Sequence, residues 1–353
     1  MPKFYESNSV VSGNDFDHDG DIDLFVGGRN VPFQYPKAAN SRLLRNDSKA
    51  GQIAFSDITN TAAKELLNYG LVCNATWADL DGDKWDELIL ASEFAPIQIF
   101  KNVKGKLSIQ KETGVQDLKG LWTSIQAADL DKDGDLDLVA GNMGENTLLK
   151  ANADRPVEIV HGDLDGNDVY DLFPFVYFVN DKGEYDSYPL HGKDDINKMM
   201  VGTKKRWVYF KEYGKVNQAK FFTEEEKKKA QTVGFNSNSS VWIENKGAGK
   251  FVAHELPVEA QFSCINSIEV MDVNKDGNPD ILFVGNNYAN EVFVGRYDAS
   301  NGGVLLGNGK GGFKFYRDSG FEVTGDAKSL IRLKDKFIAG QNRGPIKVFK
   351  WLN

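Results

Sequence analysis

The sequence holds little of what enzymes most often use for chemistry. Across 353 residues there are two cysteines and four histidines. Cys73 and Cys264 stand in apolar segments of distant repeats, and a disulfide needs Cα atoms within about 7 Å, so two buried free thiols are expected rather than a bridge. Neither has a histidine or basic neighbour in sequence to lower its pKa, which leaves no marked cysteine nucleophile. There is no Gly-x-Ser-x-Gly elbow and no His-x-x-x-His zinc pair. His18 falls inside an acidic turn, where a solvated ring is expected. His161 ends one strand and His254 follows another, and both read as structural. No apolar run is long enough to cross a bilayer. The opening MPKFYESNSV lacks the basic and then apolar regions of a signal peptide. Basic stripes are missing too: GTKKRW and EEEKKKA are short and local, the second reading as a solvated helix face, so nucleic-acid binding is not expected.

What the sequence does have is acid, in a pattern. AADLDKDGDLDLVAGN, at 127–142, places carboxylates at Asp129, Asp131, Asp133, Asp135 and Asp137 around Gly134. Like charges this close repel, so a folded segment holding them needs either full solvation or a cation, and the period-two alternation offers the second route. Ca²⁺ takes six to eight oxygens, which short loops supply from alternate residues, a backbone carbonyl and a later carboxylate. Asp129, Asp131 and Asp133 then supply the first ligands, the carbonyl of Asp135 the next, and Asp137 closes the site. The loop is shorter than an EF-hand loop, and the apolar run that follows is β-rich rather than helical.

Four further copies follow the same spacing: Asp15, Asp17, Asp19, the carbonyl of Asp21, and Asp23; Asp79, Asp81, Asp83, the carbonyl of Trp85, and Glu87; Asp163, Asp165, Asn167, the carbonyl of Val169, and Asp171; Asp272, Asn274, Asp276, the carbonyl of Asn278, and Asp280. Up to five Ca²⁺ ions are therefore the expected cofactors, and they would bring the net charge of −9 to about +1. The acidity belongs to the sites and does not advertise a basic partner. Loops with glycine in sixth place (Gly20, Gly134, Gly277) are expected to bind more tightly than those with Lys84 or Asp168 there, because glycine turns without steric cost.

The frame repeats as well. A short apolar strand precedes each loop and another follows. Beyond them come hairpins such as SRLLRNDSKAGQIAFSDIT, IQIFKNVKGKLSIQKET, SVWIENKGAGKFVAHELP and GVLLGNGKGGFKFYRDSG. Four short strands per unit read as a propeller blade. The loops begin 64, 50, 34 and 109 residues apart. The interval of 34 predicts a blade with a reduced outer strand, and that of 109 predicts an insertion. GDAKSLIRLKDKFIAGQNRGPIKVFKW keeps the strand pattern with only Asp326 where a loop would start, and reads as a sixth blade without metal.

These loops resemble the calcium-binding FG-GAP or VCBS repeats of integrin alpha-subunit propellers and of bacterial proteins related to cartilage acidic protein. The segments DLFVGGR, VEAQFS and GRYDASNG further resemble the C-terminal propeller of large secreted bacterial proteins, including enediyne-biosynthesis-like ones. The resemblance implies an all-β propeller of four-stranded blades that binds Ca²⁺ at its blade hairpins, sits in the extracellular or periplasmic space, and has no established chemistry. Seven blades are implied and six are visible. Either one lies upstream, or the opening KFYE closes a six-bladed ring on PIKVFKW.

The expected organisation is one propeller domain over 1–353, interrupted by a helical and aromatic insertion at 188–238. Within the insertion, Thr223 and Glu226 stand at capping-box spacing, and KDDINKMM reads as a second helix. Met199, Met200, Trp207, Tyr209 and Phe210 either seat the excursion on the propeller or form a partner surface, for which His191, Trp207 and Tyr209 are the candidates. The functional expectation is a non-catalytic binding or scaffolding module for a protein or glycan. Its rival is a Ca²⁺-dependent carbohydrate lyase or hydrolase working on the propeller face and insertion.

Overall fold

The computed structural model describes residue 2 and residues 4–351. In the first sheet β1 (Ser7–Asn14), β2 (Asp23–Asn30), β3 (Arg42–Asn46) and β4 (Phe55–Asp57) pair antiparallel in sequence order. The second repeats this with β5 (Leu71–Ala78), β6 (Glu87–Ala95), β7 (Gln98–Asn102) and β8 (Leu107–Ile109), and adds the short β9 (Gly120–Leu121) beside β6. In each, the acidic nine-residue turn joins the first strand to the second.

The third sheet departs from expectation. It opens with β10 (Ser124–Ala128) and β11 (Asp137–Gly141), and the chain then leaves it. A separate sheet follows, built from β12 (Val157–Gly162), β13 (Asp171–Val179), β14 (Tyr185–Pro189) and β15 (Gln231–Phe235) in the order β14-β13-β12-β15. Only then do β16 (Val241–Asn245) and β17 (Phe251–Glu255) return to complete the third sheet, β16 pairing with β11 through Leu138↔Ile243. The third unit therefore has full outer strands: SVWIENKGAGKFVAHELP belongs to it. The Asp163 repeat is itself part of what interrupts it, so the departure from the third sheet runs from 142 to 240 and contains the segment 188–238. Sequence spacing could not show this, because a hairpin's partner strand is chosen by register and packing rather than by proximity in the chain.

A fourth main sheet, β18 (Ile265–Met271), β19 (Asp280–Gly285), β20 (Gly303–Gly307) and β21 (Phe313–Phe315), precedes a three-stranded one of β22 (Ala327–Leu333), β23 (Lys336–Gln341) and β24 (Lys347–Lys350). That last sheet is the unit without an acidic loop.

The first strands lie side by side, β1 next to β5, β5 next to β10, β10 next to β18 and β18 next to β22, and the sheets fan out from them. The result is an all-β, propeller-like fold. The period-two alternation of strand side chains lets one strand feed two cores. In β6, Leu88 and Leu90 pack toward the first sheet with Phe25 and Leu43, whereas Ile89 and Ala91 pack toward the third with Leu138 and Ile243. In β19, Ile281 and Phe283 face the third sheet and Leu282 and Val284 face the last. This is why these strands read as near-continuous apolar runs. Among the described residues no apolar cluster joins the last sheet to the first, and β24 pairs with β23. Phe4 instead lies against the Arg42 guanidinium, 5.4 Å from its ring centroid; Lys3 of the KFYE segment lies outside the described residues.

The interpolated sheet has two covered faces. Val157, Ile159, Val176 and Phe235 pack on Leu121 and Phe94 of the main body and on Met143, just after β11. Val160, Phe173 and Phe175 pack on Ile196, Met200, Val216, Phe221 and Phe222 from the helical segment after β14. That segment includes the helices Lys193–Met199 and Glu224–Lys229, the second started by the reciprocal Thr223 and Glu226 capping box. Glu226 is buried and pairs with Arg206, so this helix does not present a wholly solvated face. Both cysteines are free; Arg29 donates to Cys73 Sγ at 2.6 Å, but burial pushes that thiol up to about 12.

Candidate metal centre

Each acidic turn is shaped by its own side chains. The seventh residue's N–H donates to the fifth residue's side chain in all five copies: Asp21 to Asp19 at 3.2 Å, Trp85 to Asp83 at 2.8 Å, Asp135 to Asp133 at 3.2 Å, Val169 to Asn167 at 2.8 Å and Asn278 to Asp276 at 2.8 Å. Positions four and six both take positive φ. Where glycine holds six (Gly20, Gly134, Gly277), a larger residue holds four (His18, Lys132, Lys275); where Lys84 or Asp168 holds six, Gly82 or Gly166 holds four. Every loop thus carries one glycine and one side chain in the left-handed region. Glycine at six alone supplies no reason to rank the loops, since the steric cost is matched at four.

The ninth residue acts as a buried pin. Asp137 accepts the N–H of Leu130 at 2.9 Å and that of Asn245, on β16, at 2.8 Å. Asp280 does the same with Val273 and Gly307, both at 2.8 Å. Glu87 accepts from Leu80, Asp171 from Leu164 and Asp23 from Asn46. Neighbouring turns are also tied together. Asn102 donates to the carbonyl of Phe16 at 2.9 Å and Asn245 to that of Leu80 at 2.8 Å, each reaching the second residue of the preceding sheet's loop. The His18 ring stacks on Trp85 with centroids 3.9 Å apart rather than standing free in solvent. These bridges were not legible in sequence, although the recurrent asparagine was a signal for them.

Three loops gather three acids with ligand oxygens within 4.8 Å of one another: Asp15, Asp17 and Asp19; Asp79, Asp81 and Glu87; Asp129, Asp131 and Asp137. The loops at Asp163 and Asp272, with asparagine at a ligand position, show no such triad among the described residues. In the first loop Oδ1 of Asp15, Asp17 and Asp21 and Oδ2 of Asp23 are buried without a partner, as are Oδ1 of Asp129 and Asp135 in the third. An array of anionic oxygens without donors fits a hard cation. Burial, reinforced by like charges, pushes Asp23, Asp135 and Asp137 up to about 6. Asp171 is raised to about 6 by the same causes.

The second loop differs. Lys101, on β7, places its Nζ 2.5 Å from Asp81 Oδ2, 2.7 Å from Asp83 Oδ2 and 3.0 Å from Glu87 Oε1. Burial works against the ammonium, but these acids outweigh it and raise its pKa, while the Lys101 hydrogen bond holds Asp83 below the usual carboxylate range.

Residues 79–140, spanning the second loop, its sheet and the start of the third, match the model of the FG-GAP-like repeat. Over that stretch the chain is similar to an FG-GAP-like repeat. Among curated proteins none matches it. The crystal structure of BBS1N in complex with ARL6DN, soaked with lead, aligns at a TM-score of 0.26 and 11% identity, over 98% of this chain and 93% of that one. The V. cholerae biofilm matrix protein Bap1 aligns at 0.29 and 10% identity, over 98% of this chain and 69% of that one. Overlaps this slight carry no argument about ligand or partner.

The acidic hairpins of the main sheets turn at one end of their strands. The opposite end carries the long connections: 31–41 after β2, 142–240 after β11 and 286–302 after β19. The last of these holds the interpolated sheet in place. His191 Nε2 and Glu291 Oε2 are 2.9 Å apart, and the hydroxyls of Thr147 and Tyr297 are 2.8 Å apart. Between this sheet and the main body lies a cavity of about 290 Å³ walled by Phe94, Leu121, Met143, Ile159 and Phe235. Of the three residues expected to meet a partner, His191 is buried in that junction and Trp207 packs on Phe221 and Tyr213, while Tyr209 is 68% exposed. Phe33 and Val292, both 99% exposed at the tips of two long connections, were not singled out by sequence because loop tips show no periodicity.

Proposed function

We propose that this chain is a calcium-stabilised propeller serving as a non-catalytic binding module outside the cytoplasm, as part of an exported bacterial protein. The observation that carries this is the division of the molecule. Gathered carboxylates stand at one end of the main sheets, and at the other stand long connections tipped by the exposed apolar residues Phe33 and Val292. Long loops on a rigid frame are where binding residues concentrate, and exposed apolar side chains there suit a protein or glycan surface.

Asp15, Asp17, Asp19 and Asp23 in the first FG-GAP hairpin, and Asp129, Asp131 and Asp137 in the third, would hold the ions, which supply charge neutralisation and rigidity. An ion bound only by the folded state stabilises it by RT ln(1 + [L]/Kd), roughly 2.7 kcal/mol per site at about 100 Kd. Melting curves in excess EGTA and in millimolar calcium test the metal half of the reading; coincident curves would overturn it. A glycan array and a pull-down with a Phe33→Ser, Val292→Ser double variant test the other half. Binding that survives both substitutions would move recognition away from the loop tips.

A further inference from the structure

Register fixes which side chain on the third strand of a sheet looks at the acidic turn. Leu88 pairs with Phe100, which sets Lys101 beside Glu87. The corresponding pairs Leu24↔Leu44, Leu138↔Ile243 and Ile281↔Leu305 put Arg45, Glu244 and Leu306 at the same place in the other main sheets. Arg45 pairs with Asp47 at 2.9 Å and, although its charge reaches Asp17 and Asp19, makes no ion pair with them; Glu244 adds an acid that is engaged by Lys246 and His254, and Leu306 carries no charge. Only in the second of these main-sheet hairpins, among the described residues, does this position bring a cation into ion-pair contact with the loop's own carboxylates.

We propose that the ammonium of Lys101 is the resident cation of the second FG-GAP hairpin, which therefore keeps its shape without a divalent ion while the first and third hairpins take one. An ammonium has three N–H donors and no acceptor. Here it faces three acids at 2.5, 2.7 and 3.0 Å, those at positions three, five and nine, which a metal ion would need. Asp79, at position one, is occupied by the N–H groups of Gly82 and Lys84, both at 2.9 Å. The ninth residues of the first and second hairpins, Asp23 and Glu87, are both 1% exposed and each keeps one oxygen without a hydrogen-bond partner, but only Glu87 has an ammonium beside that oxygen, Lys101 Nζ at 3.0 Å. A divalent ion entering the second loop would have to expel Lys101 from among its three acids or sit beside a like charge.

This inference rests on the calcium reading of the other hairpins, and its test separates the two. Calcium stoichiometry is measured by calorimetry on the intact chain and on Lys101→Gln, with Lys101→Arg as the variant that keeps a cation. Asp81→Ala added to Lys101→Gln takes a ligand from the second loop and so locates any gained ion. The expected result is one additional ion in Lys101→Gln, none in Lys101→Arg, and none in Lys101→Gln with Asp81→Ala. The proposal is overturned if Asp81→Ala alone lowers the calcium stoichiometry of the chain, which would mean that the second loop already holds an ion, if Lys101→Gln gains no ion, or if Lys101→Gln fails to fold even in millimolar calcium. Absence of calcium binding by the unmodified chain, with a gain in Lys101→Gln, would instead sink the calcium reading of the first and third hairpins and leave Lys101 in its role.

Discussion

The first and second hairpins are neighbours in the fold, touch through His18 and Trp85, and carry acids in the same nine-residue frame, yet they neutralise those acids differently. In the first, four buried carboxylate oxygens have no donor; in the second, Lys101 donates to Asp81 and Asp83 and ion-pairs with Glu87. A shared motif therefore specifies the cradle and not the cation. One residue, brought in from a strand 14 positions after Glu87, decides the second question.

The sharpest way to break this comparison is to remove what the loops have in common. Asp137→Ala leaves the N–H groups of Leu130 and Asn245 buried without acceptors. At about 1–3 kcal/mol for each orphaned donor, unfolding free energy should fall by about 2–6 kcal/mol, with or without calcium. A denaturant midpoint that moves only when calcium is present would make Asp137 a metal ligand alone.

Next in size is the difference between the cradles. Asp17→Ala should lower stability by roughly 2–3 kcal/mol in saturating calcium, the contribution of one filled site, and the loss should disappear in EGTA. Asp81→Ala should cost at most about 1 kcal/mol, as expected for a partly exposed ion pair, and that cost should be the same in calcium and EGTA. Denaturation of both variants in both buffers decides it. Equal calcium dependence for the two would erase the distinction between the hairpins.

The smallest effect is the pH response of metal-free protein. Burial raises Asp23, Asp135, Asp137 and Asp171 from the usual 3.8 to about 6, so between those values the folded chain holds protons that the unfolded chain has released. Folding is then favoured as pH falls. His161 opposes this, since burial lowers its pKa, but it is one group against four. Metal-free protein should melt higher at pH 5 than at pH 7, and with calcium present the order should reverse because protons displace the ion. A metal-free melting temperature that drops on acidification would show that these acids are not desolvated as described.

The five turns were readable in the sequence because everything that shapes them lies within nine residues: alternating acids, a glycine in the left-handed region and side-chain acceptors for N–H groups two to five positions away. The strands were readable from their apolar runs and their spacing. The assembly of those strands was not. The interval of 34 residues after Asp129 suggested a stunted blade because the sequence cannot show that β11 waits for β16 across an interpolated sheet. The aromatics after 188 could be core or surface by pattern alone. Trp207 turned inward because Phe221 and Tyr213 were there to receive it, whereas Tyr209, with no such neighbour, stayed in solvent.

By itself, then, the sequence determined the acidic turns, their repetition and the all-β, propeller-like class, since each is a property of short-range order. Only the tertiary structure decided that Asn102 and Asn245 bridge neighbouring loops, that the Asp163 repeat sits outside the succession of main sheets, and that Lys101 fills the second cradle. Those outcomes depend on strand register and on packing between sheets, which bring together groups that no local pattern connects.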